Sequence, residues 1–233
     1  MQARSAVRTS IMRSLGAVAG IIMGLTGGAA WAGVIAGTAH DLSGKLYTGG
    51  QICVACHTPH GGNTSVTDAP LWNHALSVAT YTLYSSSTMN AGPLAQPSGV
   101  SKLCLSCHDG TVAIDSFGGV TGTNFVTGNG AVGAAAQGSL ANDHPIGFTY
   151  DAALVTLDGS LHNTTNSVTI GTGGTRTKTG TIASLLLFNG KLECASCHDV
   201  HNTFTVNNGT GVGAPLLRVS KAGSAICLTC HNK

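Results

Sequence analysis

Cys53-Val-Ala-Cys56-His57, Cys104-Leu-Ser-Cys107-His108, Cys194-Ala-Ser-Cys197-His198 and Cys227-Leu-Thr-Cys230-His231 decide how this chain is read. Together they use all eight cysteines, each pair separated by two residues and followed at once by a histidine. Two residues between thiols let both reach one edge of a macrocycle, and the next residue projects over its plane. C-x-x-C-H is the attachment signature of c-type haem, in which the thiols add across the porphyrin vinyl groups and the imidazole ligates iron from one face. A zinc site needs no histidine immediately after every second cysteine. A thioredoxin-like dithiol appears once, on a βαβ pattern that is absent here. An exported chain with an even cysteine count would ordinarily be read as a disulfide framework, but four motifs out of four override that reading. The expectation is four covalently bound haem c groups, with His57, His108, His198 and His231 as proximal ligands.

Composition leads to the same expectation from another side. The chain has 233 residues, 42% apolar but only 5% aromatic and 9% charged, against roughly 25% charged in an ordinary globular protein. That excludes a nucleic-acid binder, a coiled coil and a polytopic membrane protein. With 33 glycines and few large side chains, the chain is poorly equipped to fill a core by itself. Four rigid, mostly apolar discs would supply the missing buried surface and restrict the unfolded chain as cross-links do. The expected fold class is therefore that of a multihaem cytochrome, mostly irregular with short helices and a few short strands, wrapped around a haem stack.

Arg4, Arg8 and Arg13 precede an apolar, glycine-containing stretch from Leu15 to Leu25 and then Ala30-Trp31-Ala32. This reads as a secretory signal peptide over residues 1–32 with an A-x-A cleavage site, and the run is too short and glycine-rich for a membrane span. Its removal takes three of eleven basic residues and leaves eight against nine acidic ones. Four haems, each with two ionised propionates, would take the charge to about −5 with ferric and about −9 with ferrous iron, favouring cationic surfaces or metal ions as partners.

The second axial ligand separates an electron carrier from an enzyme, because an empty position lets small molecules bind. Met1, Met12 and Met23 lie in the leader, so Met89 can serve one haem at most. Six histidines remain beyond the proximal four: His40, His60, His74, His144, His162 and His201. In His57-Thr-Pro-His60 and His198-Asp-Val-His201 a second histidine follows three residues after the proximal one, while the other two motifs have none. A three-residue tether keeps such a ring off the far face of its own haem, so His60 is expected to ligate the second haem and His201 the fourth. His144 follows Asp143, a candidate acceptor for its ring N–H, and precedes Pro145. His74 follows Trp72 at two residues, and His40 adjoins Asp41. These three compete for the two remaining sites, and His162 reads as a solvated loop residue.

The motif order suggests a first haem-pair module over 33–118, with Tyr81-Thr-Leu-Tyr84 and Asp68-Ala-Pro70 as connectors, and a second over 191–233. Between them, 119–190 is a cysteine-free insert rich in Gly and Thr. Asn166–Ile170 and Thr175–Ala183 alternate weakly with strand period, and Phe125, Phe148, Tyr150 and Leu185-Leu-Leu-Phe188 argue for partial burial.

His40-Asp-Leu-Ser, the first motif through Gly62, Pro70-Leu-Trp-Asn-His74, Lys102 through Gly110, Asp143-His-Pro-Ile146 and Cys227 through Lys233 together resemble the doubled C-x-x-C-H family of secreted multihaem cytochromes. Within it, the size, the haem number and the Thr/Gly-rich middle are similar to tetrahaem outer-surface cytochromes of metal-reducing bacteria, including those that polymerise into extracellular nanowire filaments. The resemblance implies a continuous haem chain crossing subunit contacts, with one haem ligated by a histidine of the next subunit. His40, near the expected mature N-terminus, would permit such a loan, giving a heterologous contact that propagates.

The reading that follows is a secreted, non-enzymatic electron-transfer protein at the outer surface or beyond, reached through the periplasm. It would form a homopolymer and exchange electrons with other redox cytochromes and with extracellular metal ions or minerals. Its rivals are a monomeric periplasmic shuttle and a multihaem reductase with an open iron.

Overall fold

The computed structural model describes residues 34–66, 69–133, 139–174, 176–206 and 215–232. The leader expected over 1–32 lies outside the described residues, as do Asp68 of the expected connector and Thr175 of the expected strand.

Regular elements are few and short. Helix α1 spans Gly99–His108 and carries the second motif on its last turns. Helix α2 is Ala152–Asp158, α3 Ile182–Leu186, α4 Cys194–Cys197 and α5 Ala225–Leu228. Strands β1 (Thr82–Leu83) and β2 (Ser139–Leu140) pair in parallel. Antiparallel pairs join β3 (Ser167–Ile170) to β4 (Lys178–Thr181) and β5 (Leu187–Phe188) to β6 (Lys191–Leu192). Among the described residues no helix is long and apolar enough to cross a membrane.

Local sequence explains the better-formed elements. The alternation in Ser167–Ile170 points Val168 and Ile170 inward and the threonine and serine outward, as period-two patterning requires. Asp151 caps α2 by accepting from the Leu154 N–H at 2.9 Å, and Gly159 ends it at φ +68°, a conformation that glycine adopts without a Cβ penalty. Thr181 and Ser184 form a reciprocal capping box at the start of α3.

The apolar interior is divided among three small clusters. The largest gathers Tyr150, Leu154, Val168, Ile170, Ile182, Leu186 and Leu192 under the β3–β4 hairpin. The second joins Val66, Ala69, Trp72 and Leu103, and the third Tyr81, Leu105 and Leu140. Helix α1 thus faces two clusters through Leu103 and Leu105, while its fully buried Ser101 admits α4 closely. Ser101 Oγ donates to the buried Glu193 carboxylate and accepts from the Cys194 N–H at 3.0 Å. That contact links the helix of the second motif to the helix of the third. Tyr150 and Leu186 are buried, as the sequence suggests for the 119–190 segment, whereas Phe125 is 47% exposed.

Candidate functional site

Each C-x-x-C-H begins as a tight turn in which the histidine N–H returns to the first cysteine: His57, His198 and His231 donate to the carbonyls of Cys53, Cys194 and Cys227. An extended strap then crosses the histidine. At the first motif His57 bridges to Trp72, Thr58 N–H donates to Leu71 C=O at 2.9 Å, and Asn73 N–H donates to Cys56 C=O at 2.9 Å. At the third, His198 bridges to Leu217, Asp199 N–H donates to Leu216 C=O at 2.8 Å, and Arg218 N–H donates to Cys197 C=O at 2.9 Å. The fourth repeats the scheme with Ser160, Leu161 and His162: His231 bridges to Leu161 and the His162 N–H reaches Cys230 C=O at 2.8 Å.

The straps do more than hold backbone. His57 Nδ1 donates to Pro70 C=O at 2.9 Å, His198 Nδ1 to Pro215 C=O at 2.5 Å, and His108 Nδ1 to Gly130 C=O at 2.5 Å. A carbonyl can only accept, so these bonds select the tautomer with the proton on Nδ1 and leave the Nε2 lone pair for a metal. Metal-bound histidines are oriented in this way by carbonyls or carboxylates.

Three proximal rings also have a second imidazole near them. His57 and His201 stack at 6.1 Å between centroids with 17° between planes, His108 and His40 lie at 5.9 Å, and His231 and His144 at 6.3 Å. With metal–nitrogen bonds of about 2 Å, two imidazoles on opposite sides of one ion place their centroids roughly 6 Å apart. Burial, and then the neighbouring His108, His198 and His201, push the His40 pKa down to about 4, so the ring is neutral and able to ligate at physiological pH.

The thiols of consecutive motifs are neighbours. Burial raises Cys107 to about 12, with Cys56 of the first motif adding to it. The Cys104 and Cys194 thiols share a hydrogen bond that raises the former and lowers the latter. Burial raises Cys230 to about 11 and Cys197 contributes. Thiols of the first and second, second and third, and third and fourth motifs thus influence one another, while His201 beyond the third motif also faces His57 of the first. No family model matches the chain, and a search of curated proteins finds no match.

The ring neighbours differ from the sequence expectation. The ring beside His108 is His40, not His60, and the ring beside His231 is His144, not His201. His60 is turned to the surface by a turn in which Thr58 Oγ1 donates to its carbonyl. His201 belongs instead to the first site, carried there because the third motif packs against the first two. His144 Nδ1 donates to Pro145 C=O at 2.9 Å, so Asp143 is not its acceptor, and Asp41 bonds Gly37 and Ser43 rather than the His40 ring. His74 is buried, with Nδ1 2.7 Å from the Ala75 carbonyl and Nε2 2.9 Å from the Ala113 carbonyl and 3.5 Å from Cys107 Sγ, and a neutral ring can donate to only one of those carbonyls.

All eight cysteines are free thiols, and among the described residues no three His, Cys, Asp or Glu side chains converge on one point as a zinc site would require. Burial holds Cys56, Cys107, Cys197 and Cys230 above the ordinary thiol range, whereas Cys194 is lowered by its hydrogen bond with Cys104. Buried polar atoms without partners, His40 Nδ1, Trp72 Nε1 and Asp143 Oδ2, belong to or adjoin residues of these sites. Sequence reasoning missed the straps. Their one shared signal is the tripeptide Ala-Pro-Leu, which occurs at 69–71 and 214–216, 13 and 17 residues from histidine to the accepting proline.

Proposed function

We propose that the chain is a secreted tetrahaem c-type cytochrome that passes electrons along four haems arranged in chain order. The observation that carries this reading is the pairing of imidazoles, His57 with His201, His108 with His40 and His231 with His144, at the spacing of opposite ligands on one iron. Cys53 and Cys56, Cys104 and Cys107, Cys194 and Cys197, and Cys227 and Cys230 would hold the porphyrins. The bound groups would supply one-electron chemistry. The polypeptide would orient the proximal rings and select their tautomer through the carbonyls on Nδ1 of His57, His108 and His198. His/His ligation favours low-potential electron transfer over small-molecule binding.

The resemblance extends the reading to a homopolymeric filament at the cell exterior, exchanging electrons with other cytochromes and with metal ions or minerals. The three close ring pairs do not include His198, although His198 also acts on His40; a filament would have a neighbouring copy complete one site, and a reductase would leave one open. Expression with a cytochrome c maturation system, followed by intact mass and visible spectroscopy, is expected to give four added porphyrins and low-spin bis-imidazole bands. A colourless product of unmodified mass would overturn the reading. Carbon monoxide bound at one iron of the assembled protein would favour the reductase.

A further inference from the structure

Three of the four motifs are preceded by an apolar residue, Ile52, Leu103 and Ile226, whereas the third is preceded by Glu193, the only glutamate in the chain. Glu193 is 2% exposed. Burying a carboxylate is costly unless it is well hydrogen-bonded, and its bonds reach from the third motif to the second. It accepts from Ser101 Oγ and, at 3.3 Å, from the Ser101 N–H in the first turn of α1. Both groups are donors, as suits an ionised carboxylate, which can only accept. A Cβ placed on Gly99 would stand 3.4 Å from Glu193 Oε1, so the carboxylate lies at the start of α1, where unpaired N–H groups favour negative charge. Its own backbone N–H donates to Ser196 Oγ at 2.8 Å, and the Cys194 N–H donates to Ser101 Oγ at 3.0 Å.

These bonds set one buried carboxylate between two attachment points. Glu193 adjoins Cys194 in the chain, and Ser101 stands three residues before Cys104 on α1, a spacing that makes side chains neighbours on a helix face. The hydrogen bond shared by the Cys104 and Cys194 thiols is the main influence on each, and the Glu193 charge opposes ionisation of both. The first and fourth motifs have isoleucine at the corresponding position.

We propose that the Glu193 carboxylate is a shared electrostatic control on the haems of the second and third motifs, lowering the reduction potential of both. This rests on the haem reading above. Ferric haem carries one more positive charge than ferrous, so a fixed negative charge near both attachment points favours the oxidised form of each. A single residue thereby sets the middle of the electron path apart from its ends.

The test compares the exported holoprotein with Glu193→Gln, which removes the charge and keeps an acceptor for Ser101, and with Glu193→Leu, which removes both. Redox titration is expected to show two of four couples moving to higher potential in each variant. Their ferrous-to-ferric ratio at fixed potential is expected to rise about threefold to tenfold, tenfold being 59 mV for one electron. Paramagnetic NMR is expected to assign the two shifted couples to the haems of His108 and His198. A purely structural role would move them in Glu193→Leu and leave Glu193→Gln like wild type. Because the chain has one glutamate, isotope labelling of glutamate at its carboxyl carbon makes an infrared band report Glu193 alone, with no substitution. Wild-type holoprotein is expected to show the ionised carboxylate. A protonated Glu193, or unchanged couples of His108 and His198 in a Glu193→Gln variant that retains four porphyrins, would overturn the proposal and leave the haem reading intact. Absence of porphyrins would overturn the haem reading itself.

Discussion

The straps at Pro70–Asn73 and Pro215–Arg218 run the same backbone pattern against the first and third motifs, yet share little side-chain chemistry. In both, a proline carbonyl takes the histidine Nδ1 proton. In both, the following leucine is held at positive φ, +56° at Leu71 and +51° at Leu216, and the last residue sends its side chain back to the x-x segment of the motif. Asn73 Nδ2 donates to Val54 C=O at 2.6 Å and Arg218 Nε to Ala195 C=O at 2.8 Å. What differs is the side chain over the ring, Trp72 against Leu217, and the burial of the leucine, 54% exposed at Leu71 and 4% at Leu216. The conserved feature is thus a carbonyl pointed at Nδ1, and the side chains are free to set the properties of each site.

The largest expected effect breaks the pairing that joins these two regions. His201→Ala removes the ring that faces His57 and is expected to leave one iron of the loaded protein able to bind carbon monoxide, read as a difference spectrum of the reduced form. His162→Ala, whose ring is beside no proximal histidine in these pairs, is expected to add no carbon monoxide binding over wild type. Equal spectra for wild type and His201→Ala would remove the case for ligation across the two motifs.

The leucines come next. Leu216→Gly loses a buried side chain worth about 3 kcal/mol and recovers about 1 kcal/mol of left-handed strain, so chemical denaturation is expected to show a net loss of about 2 kcal/mol. Arg218→Ala is expected to cost about 2 kcal/mol by the same measurement, because Asp199 is buried and loses the cation at 3.9 Å. Asn73→Ala, which deletes a neutral hydrogen bond, is expected to cost about 1 kcal/mol. Leu71→Gly should be the mildest, stabilising by up to about 1 kcal/mol, since the strained leucine there is already half in water. If Leu71→Gly and Leu216→Gly shift the denaturation midpoint alike, the two straps are not differentiated by burial.

Parts of this arrangement were legible from residue order. The β3–β4 hairpin forms in the two segments whose alternation marks them, because Val168 and Ile170 need only one apolar neighbour surface, which α3 provides from the next residues. The four C-x-x-C-H motifs are legible for a similar reason: two thiols and an imidazole proposed to act on one group lie within five residues of each other. The distal partners were harder to read. His60 and His201 occupy equivalent places after their motifs, yet one is turned to the surface and the other faces His57 across 144 residues of chain. Their neighbours differ, Thr58 and Pro59 against Asp199 and Val200, and the Thr58 hydroxyl bonds the His60 carbonyl while the Asp199 carboxylate accepts from the His201, Thr203 and Phe204 N–H groups, but which of the two rings meets a proximal histidine depends on packing far along the chain. His74 is ambiguous in another way, since a histidine after an apolar and aromatic run suits a ligand and a loop clamp equally well, and its ring lies near the Ala75 and Ala113 carbonyls and Cys107 Sγ.

By itself, the order of residues determined which sulfurs and imidazoles lie within reach of one another and how little apolar surface the chain brings to its own interior. These follow from covalent reach, which a few intervening residues decide. Only the tertiary structure decided which imidazole faces which, which motifs touch, and that the Trp72 indole N–H is buried without a partner. Those relations join segments far apart in the chain, and they are set by the packing of α1 on α4 and of each strap on its motif.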